Sequence, residues 1–257
     1  MCQLFGINSD KPYRANEILV RFFENSAIHK DGWGIAVFDV DNGFVEKEPV
    51  QAIQSSRLKD MLSEDVICKD MLAHIRKASV GHIEYVNCHP FVFKDNTGRT
   101  WTLIHNGTVF DPELITGYFP LQTGTTDSEA IGLFLMDRIN SETERKGRSL
   151  TDKERFSCLD TAICELSPEN KLNMMIYDGE ILYVHTNMRD TLYELYKDGT
   201  RIITTEPLTD KEWTNVPLNT LQAYKDGERV FSGTDHGNEF FQEDHDMGLV
   251  YLAYSGL

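Results

Sequence analysis

The sequence predicts an α+β protein built from two stacked, mainly antiparallel β-sheets with helices on their outer faces. Strands joined by two-residue turns must run antiparallel, and Asn42-Gly43, Asp198-Gly199 and Asp226-Gly227 each lie between β-rich segments. The runs 35–38 and 174–177 are apolar at every position rather than at alternate positions. Strands of that kind are covered on both faces, which two stacked sheets with external helices provide.

The N-terminal part of the chain predicts a strand, a helix and a hairpin in that order. Residues 1–7 are expected to form a short apolar strand, and residues 12–28 carry apolar side chains at helical spacing. The apolar run 35–38 precedes Asp41-Asn42-Gly43 and a second β-rich run, which is the pattern of a hairpin with a tight turn. Residues 55–62 predict a short helix.

Strands are predicted next at residues 71–76 and 100–104, with a loop between them. Residues 125–129 are polar and precede apolar residues at helical spacing, so a helix is expected to begin there. The charged run 141–155 is expected to be a solvated loop between helices rather than a domain boundary. Asp178-Gly179 is expected to join a further pair of strands.

The composition limits the classes of partner. The chain has 25 Lys and Arg against 41 Asp and Glu, a formal net charge of −16, which repels nucleic acid and anionic lipid. No apolar run approaches the roughly 18 residues of a membrane span, and no signal peptide is evident. The five cysteines include no C-x-x-C pair, which argues against a disulfide framework or a zinc ribbon. We therefore expect one cytoplasmic domain over residues 1–257, without a cofactor or a metal.

Cys2 is the first candidate for chemistry. Cysteine is small enough for the initiator methionine before it to be removed, which gives a mature chain of residues 2–257. Cys2 then carries a free α-amine beside its own thiol, and an α-amine titrates at roughly pH 7.7–8.0. Such an amine can accept the thiol proton, so one residue supplies both nucleophile and base. A buried cysteine next to a retained Met1 is the alternative.

Five short motifs identify a family. In chain order they are Met1-Cys2-Gln3-Leu4-Phe5-Gly6, His29-Lys30-Asp31-Gly32-Trp33-Gly34, His74-Ile75-Arg76, His105-Asn106-Gly107 and Thr126-Asp127-Ser128-Glu129. In this order and spacing they resemble the glutamine amidotransferase type 2 domain of the N-terminal-nucleophile (Ntn) hydrolases, with the stand-alone YafJ-like branch most similar. The resemblance covers essentially the whole chain and implies a four-layer αββα sandwich.

The resemblance also implies a reaction. Cys2 attacks the side-chain amide carbon of glutamine, which gives a γ-glutamyl thioester and ammonia, and water then releases glutamate. The side-chain N–H of Asn106 and the backbone N–H of Gly107 form the oxyanion hole. From the residues alone, Asn-Gly is also a common turn sequence, so a turn remains an alternative at this position.

Substrate recognition is implied for three further positions. Arg76 resembles the arginine that binds the α-carboxylate of glutamine, and a surface ion pair is the alternative role. Asp127 resembles the aspartate that binds the α-amino group, and a helix N-cap is the alternative. After Arg76 the chain departs from larger members of the family. Ser79 can replace a threonine hydroxyl, whereas Val80 cannot replace the usual histidine contact.

The remaining residues of the motifs are assigned supporting or packing roles. His29, Asp31 and Trp33 are expected to support the strand of the nucleophile. Four histidines lack compact metal-ligand spacing and are expected to be satisfied core or loop residues: His74, His82, His89 and His105.

Several functions remain open from the sequence. The leading hypothesis is an amidotransferase that acts on glutamine or another γ-glutamyl compound and passes ammonia to a separate synthase subunit. The second hypothesis is a hydrolase of γ-glutamyl amides or peptides that acts alone. A non-catalytic Ntn-like domain that binds an amino acid or scaffolds a complex is the rival from another class. A cysteine peptidase with a Cys–His pair is the weakest option, because no histidine is marked out as the base.

Overall fold

The computed structural model describes residues 2–38, 43–78 and 81–241. The helices are α1 (Asn16–Glu24), α2 (Ser56–Ser63), α3 (Asp127–Lys146) and α4 (Asp152–Leu166). The strands are β1 (Gln3–Arg14), β2 (Trp33–Phe38), β3 (Phe44–Glu48), β4 (Ile67–Ile75), β5 (Phe91–Lys94), β6 (Thr100–Thr108), β7 (Lys171–Tyr177), β8 (Leu182–His185), β9 (Tyr193–Lys197), β10 (Thr200–Thr204), β11 (Thr214–Asn215), β12 (Gln222–Lys225) and β13 (Glu228–Ser232).

The strands form two antiparallel sheets, and this confirms the predicted four-layer αββα sandwich. The first sheet has the order β11-β9-β10-β1-β4-β2-β3, and the second has the order β13-β12-β8-β7-β6-β5. Helices α1 and α2 pack on the outer face of the first sheet, and α3 and α4 pack on that of the second. No helix among the described residues combines the length and the apolar character needed to cross a bilayer.

The space between the two sheets is filled by an apolar core, which we call the inter-sheet layer. Its buried residues include Leu4, Leu72, Ile104, Met175, Leu182, Val184 and Ile203. Side chains alternate between the two faces of a strand. Residues an even number of positions from Leu4, Ile104 or Met175 on the same strand therefore also face this layer.

Two contacts fix how β1 and β7 face each other across the inter-sheet layer. A Cβ atom at Gly6 would lie 2.8 Å from Met175 Sδ, so this position accepts only glycine without a shift. Asn8 lies two residues after Gly6 on β1, and Tyr177 lies two residues after Met175 on β7. Both donate hydrogen bonds to Asp70 of β4, from Asn8 Nδ2 at 2.6 Å and from Tyr177 Oη at 3.1 Å. The two strands therefore run in the same direction on opposite sheets, and their N-terminal ends meet at one end of the layer.

The predicted hairpins are confirmed by strand pairing. Asp198-Gly199 joins β9 to β10 with φ of 52° and 78°, and Asp226-Gly227 joins β12 to β13 with φ of 50° and 80°. Positive φ at both central residues is the signature of a type I′ turn. Strands β2 and β3 also pair, with Val37 opposite Phe44, although the intervening residues 39–42 lie outside the described residues.

Two predicted boundaries are wrong. The helix expected over 12–28 begins only at Asn16, because β1 continues to Arg14 through its pairing with β4. The charged run 141–155 is mostly helical, since α3 ends at Gly147 in a left-handed cap and α4 begins after a capping box at Thr151. Charge alone suggested a loop, but most of these charges lie on helix surfaces, and several pair with one another.

Candidate active site

Cys2 lies at the start of β1, beside the end of β4. Because Gln3 pairs with Ile75, Cys2 is adjacent to Arg76 and Lys77. The half-buried Cys2 Sγ lies 3.3 Å from both the backbone N and the backbone O of Lys77. Burial raises the pKa of the Cys2 thiol, while the Lys77 N–H and the charge of Arg76 oppose that rise. The sulfur therefore lies within electrostatic reach of a guanidinium group.

Asn106 lies inside β6 and not in a turn. It pairs with Asn173 of β7, so the alternative of an Asn-Gly turn is wrong. The alternation from Ile104 directs the Asn106 side chain into the inter-sheet layer. The residue is 2% exposed, and its buried Nδ2 has no hydrogen-bond partner among the described residues. An amide donor that is buried and unpaired is available to an oxygen atom of a ligand.

Gly107 is required by close packing behind the strand. A Cβ atom there would come within 2.0 Å of Lys171 O and 2.2 Å of His105 Nε2. His105 Nε2 donates to Lys171 O at 3.2 Å, which leaves His105 Nδ1 to accept from Ser128 Oγ at 3.0 Å. Burial lowers the pKa of His105. The uncharged ring thus holds β6 from its outer side. Because β5 pairs with β6 only up to Leu103, this end of β6 extends past β5.

Arg76 is buried rather than on the surface, so the alternative of a surface ion pair is wrong. Only 3% of the residue is exposed to solvent. Nη1 donates to His82 O at 2.9 Å and Nη2 to Gly81 O at 3.3 Å. Its backbone is fixed as well, because Arg76 N donates to Gly32 O at 2.8 Å and Asp31 N donates to Arg76 O at 3.1 Å. The guanidinium group is therefore held in place by the backbone around it.

Asp127 is the first residue of α3, and the alternative of an N-cap role is wrong. The cap is Thr126, whose Oγ1 accepts from Glu129 N at 3.3 Å. Asp127 is 4% exposed, and its carboxylate accepts from Val109 N at 3.0 Å and from Ser128 N at 2.8 Å. Its negative charge contributes to the raised pKa of the Cys2 thiol. One anion and one cation thus act on the same sulfur.

Asn87 connects the loop around Arg76 to the loop before Asp127. Its Nδ2 donates to His82 O and to Thr125 Oγ1, both at 3.1 Å, and its Oδ1 accepts from Thr125 N at 2.8 Å. The side chain is fully buried. The sequence placed Asn87 in a loop without a role, and no local pattern marks it, because its partners lie up to 38 positions away.

The motif around Asp31 supports the site as the sequence predicts. Asp31 Oδ2 accepts from Ala78 N at 2.8 Å, which fixes the segment that contacts the Cys2 sulfur. The His29 and Gln3 side chains are 3.4 Å apart at the start of β1. Trp33 is buried and packs edge-on against Phe23 under the first sheet. Residues 79–80 lie outside the described residues, so the role of Ser79 and the effect of Val80 remain predictions.

Two of the histidine rings pack against each other, tilted by 33°, beneath the site. The His74 and His89 rings lie 4.0 Å apart, and His74 Nε2 contacts His105 O at 3.2 Å. Burial lowers the pKa of His74 to about 3. Neither ring nitrogen of His89 has a partner among the described residues, and His74 Nδ1 has none either, so the prediction of satisfied histidines is wrong at both. In the part of the chain that the structure describes, no group of three or more His, Cys, Asp or Glu side chains can hold a metal.

Comparison with known proteins gives one family. Residues 1–199 match the family model of class-II glutamine amidotransferases. A protein from Escherichia coli with the name "Putative glutamine amidotransferase YafJ" is 27% identical, over 90% of this chain and 100% of its own length.

Solved structures share the fold. The structure of a predicted glutamine amidotransferase from Pseudomonas aeruginosa has a TM-score of 0.64 and 21% identity, over 90% of this chain and 100% of that one. Glutamine phosphoribosylpyrophosphate amidotransferase from Bacillus subtilis has a TM-score of 0.66 and 18% identity, over 90% of this chain and 48% of that one.

Proposed function

The chain belongs to the class-II glutamine amidotransferase family, and from this premise we propose that it releases ammonia from glutamine with Cys2 as the nucleophile. The observation that carries the proposal is the Asn106 Nδ2 donor, which has no hydrogen-bond partner in the described part of the chain. It is buried, it faces the inter-sheet layer, and the Cys2 thiol lies at the end of the same layer. A buried unpaired donor has a free-energy cost of about 1–3 kcal/mol. That cost is offset when the donor meets a developing negative charge.

The reaction proceeds in two steps. With Met1 removed, the α-amine of Cys2 accepts the thiol proton, and the sulfur forms a bond to the amide carbon of glutamine. The carbonyl oxygen becomes an oxyanion that accepts hydrogen bonds from Asn106 Nδ2 and Gly107 N. Collapse of this intermediate breaks the carbon–nitrogen bond, and the amine returns the proton to the departing ammonia. Water then attacks the γ-glutamyl thioester, which releases glutamate and restores the thiol.

The α-carboxylate and α-amino groups of glutamine are assigned to Arg76 and Asp127. Both residues are nearly fully buried, and both influence the charge of the Cys2 sulfur. The guanidinium group offers paired donors for a carboxylate, and the Asp127 carboxylate offers an acceptor for an ammonium group. The Ser79 hydroxyl is assigned a further contact with the carboxylate. Together these groups recognise the zwitterionic end that glutamine shares with other γ-glutamyl compounds.

The acceptor of the ammonia is assigned to a separate synthase subunit. The Bacillus subtilis amidotransferase structure has about half of its chain outside the region matched here. We propose a similar two-part arrangement, in which this chain supplies ammonia to a partner protein. It predicts that the glutaminase activity rises when the partner is added.

The proposal is tested with purified protein, a coupled glutamate assay and a panel of γ-glutamyl amides and peptides. Cys2→Ala is expected to abolish glutamate release, and Cys158→Ala, at a half-buried thiol on α4, is the matched control with full activity. Normal glutamine hydrolysis by the Cys2→Ala variant would contradict the mechanism. Turnover of γ-glutamyl peptides in preference to glutamine would favour the hydrolase instead. Quantitative retention of Met1 in cells, without turnover of any substrate, would favour a non-catalytic binding domain.

A further inference from the structure

Lys171 is the first residue of β7, and the register between the sheets brings it opposite Cys2. Gly6 contacts Met175 across the inter-sheet layer. The two strands run in the same direction, and each side-chain face repeats every two residues. Cys2 lies four residues before Gly6 on one strand, and Lys171 lies four residues before Met175 on the other. Both side chains are therefore directed to the same end of the layer.

The neighbouring strand places Lys171 beside the candidate oxyanion hole. Lys171 pairs with Thr108 of β6, and the residue pair next along the same face is Asn106 with Asn173. The Lys171 carbonyl also packs against Gly107 from behind, as described above. A lysine ammonium group at this position lies on the same face as the Asn106 amide.

The Lys171 side chain is buried, with 4% of the residue exposed. A buried ammonium group has a large desolvation cost unless a negative charge or hydrogen bonds compensate it. Burial lowers the pKa of Lys171 to about 8, and the charge of Cys2 opposes that change. The thiolate is thus a negative charge that favours the protonated lysine.

Other charged and titratable groups face this end of the layer. Arg76, at the end of β4, adds a second positive charge near the sulfur, and Asp127 of α3 adds a negative one. The imidazoles of His74 and His105 have pKa values lowered by burial, so they add no charge at neutral pH. Lys171 and Arg76 therefore act on the thiol as positively charged side chains, in addition to the N-terminal amine.

We propose that Lys171 is a positioning residue for the nucleophile, and that its ammonium group stabilises the thiolate of Cys2 across the inter-sheet layer. Its contribution to turnover rests on the proposed function, whereas its effect on the thiol does not. Opposite charges favour each other's ionised forms, so the thiol titrates at a lower pH with Lys171 protonated than without it.

The experiment measures the rate of Cys2 alkylation by iodoacetamide from pH 6 to 10, with the labelled peptide identified by mass spectrometry. Lys171→Met removes the charge and is expected to lower the alkylation rate about tenfold below about pH 8, where Lys171 is protonated, with little change near pH 10, where it is not. Lys171→Arg keeps the charge and is expected to restore the rate below pH 8 to near that of the wild type. Lys197→Met, at an exposed lysine on β9, is the matched control and is expected to change nothing. A Lys171→Met profile that superimposes on the wild-type profile would overturn the proposal.

A reciprocal measurement keeps the test independent of the folding of Lys171→Met. NMR of the Lys171 side chain gives its pKa in the wild type and in Cys2→Ser, whose substitution is conservative and lies at a half-buried site. Removal of the thiolate is expected to lower the pKa of Lys171, and an unchanged pKa would refute the inference. Neither experiment needs glutamine turnover. A shifted alkylation profile without glutaminase activity would therefore support the charge pair and refute the proposed function.

Discussion

Replacement of Asn106 by alanine tests whether its side-chain amide is a catalytic hydrogen-bond donor or only a structural group. In the proposed reaction, Asn106 Nδ2 gains its acceptor only when the amide oxygen of glutamine becomes an oxyanion. Loss of one oxyanion-hole donor costs about 10²–10³ in kcat, or about 2.7–4 kcal/mol. Because the interaction is absent from the ground state, we expect kcat to fall by this factor with little change in KM.

The same substitution is expected to affect stability only slightly. Nδ2 has no partner among the described residues, so its removal leaves none of their acceptors unpaired. A loss of about 1 kcal/mol corresponds to a decrease in Tm of about 2–4 °C for a domain of this size. Steady-state glutamate release and thermal unfolding, measured on the same preparation, provide both quantities.

Asn173 supplies the matched control. It lies directly opposite Asn106 on β7, but its Nδ2 donates to Thr191 Oγ1 at 2.8 Å and its Oδ1 accepts from Thr186 Oγ1 at 2.8 Å. Asn173→Ala leaves both hydroxyls without this partner. It is therefore expected to lower Tm more than Asn106→Ala does, and to lower kcat less than Asn106→Ala does. A folded Asn106→Ala protein with kcat within about threefold of the wild type would refute the oxyanion-hole assignment.

Three further predictions concern recognition and stability. Arg76→Lys and Asp127→Asn are expected to raise KM for glutamine at least about tenfold, because each removes part of a charged contact of about 1.5–3 kcal/mol; unchanged KM values would contradict the assignment. Burial raises the pKa of Asp70 to about 6, above its ordinary value, so ionisation opposes folding and stability is lost as pH rises through about 6. The Tm of Asp70→Asn relative to the wild type is therefore expected to increase between pH 4 and pH 8, and a constant difference would contradict this. Arg155→Met removes the guanidinium group that lies 2.7 Å from the buried Asp178 carboxylate and leaves Arg99, 3.8 Å away, as a remaining cation. It is expected to cost about 1.5–3 kcal/mol of unfolding free energy in urea titrations, and a loss below about 0.5 kcal/mol would refute the role of this ion pair.

Local chemistry predicts much of the fold. The Asp226-Gly227 turn follows from the need for positive φ at two adjacent residues, and the two sheets follow from strands such as 174–177 that are apolar throughout. The start of α1 does not follow, because the mixed polar and apolar residues around Arg14 are compatible with either structure. The pairing of β1 with β4 decides between them, and that pairing joins residues more than fifty positions apart.

The candidate site is also only partly predictable from local sequence. Short motifs mark Cys2, Arg76 and Asp127 as candidates. Asn106-Gly107 has the local pattern of a turn, yet it lies in a strand because β7 pairs with it. Asn87 and Lys171 have no marked local sequence at all. They are recognised only from their burial and from their partners on other elements, which a single sequence does not reveal.

Covalent labelling of cell-made protein tests most directly whether Cys2 is an N-terminal nucleophile. The intact mass is measured after exposure to the glutamine-like electrophile diazo-oxo-norleucine, and the adduct is mapped by peptide sequencing. We expect one adduct per chain, on the sulfur of Cys2 in a chain that lacks Met1. An unlabelled Cys2 in the trimmed, folded protein, or an adduct on Cys158 or another cysteine instead, would contradict the account.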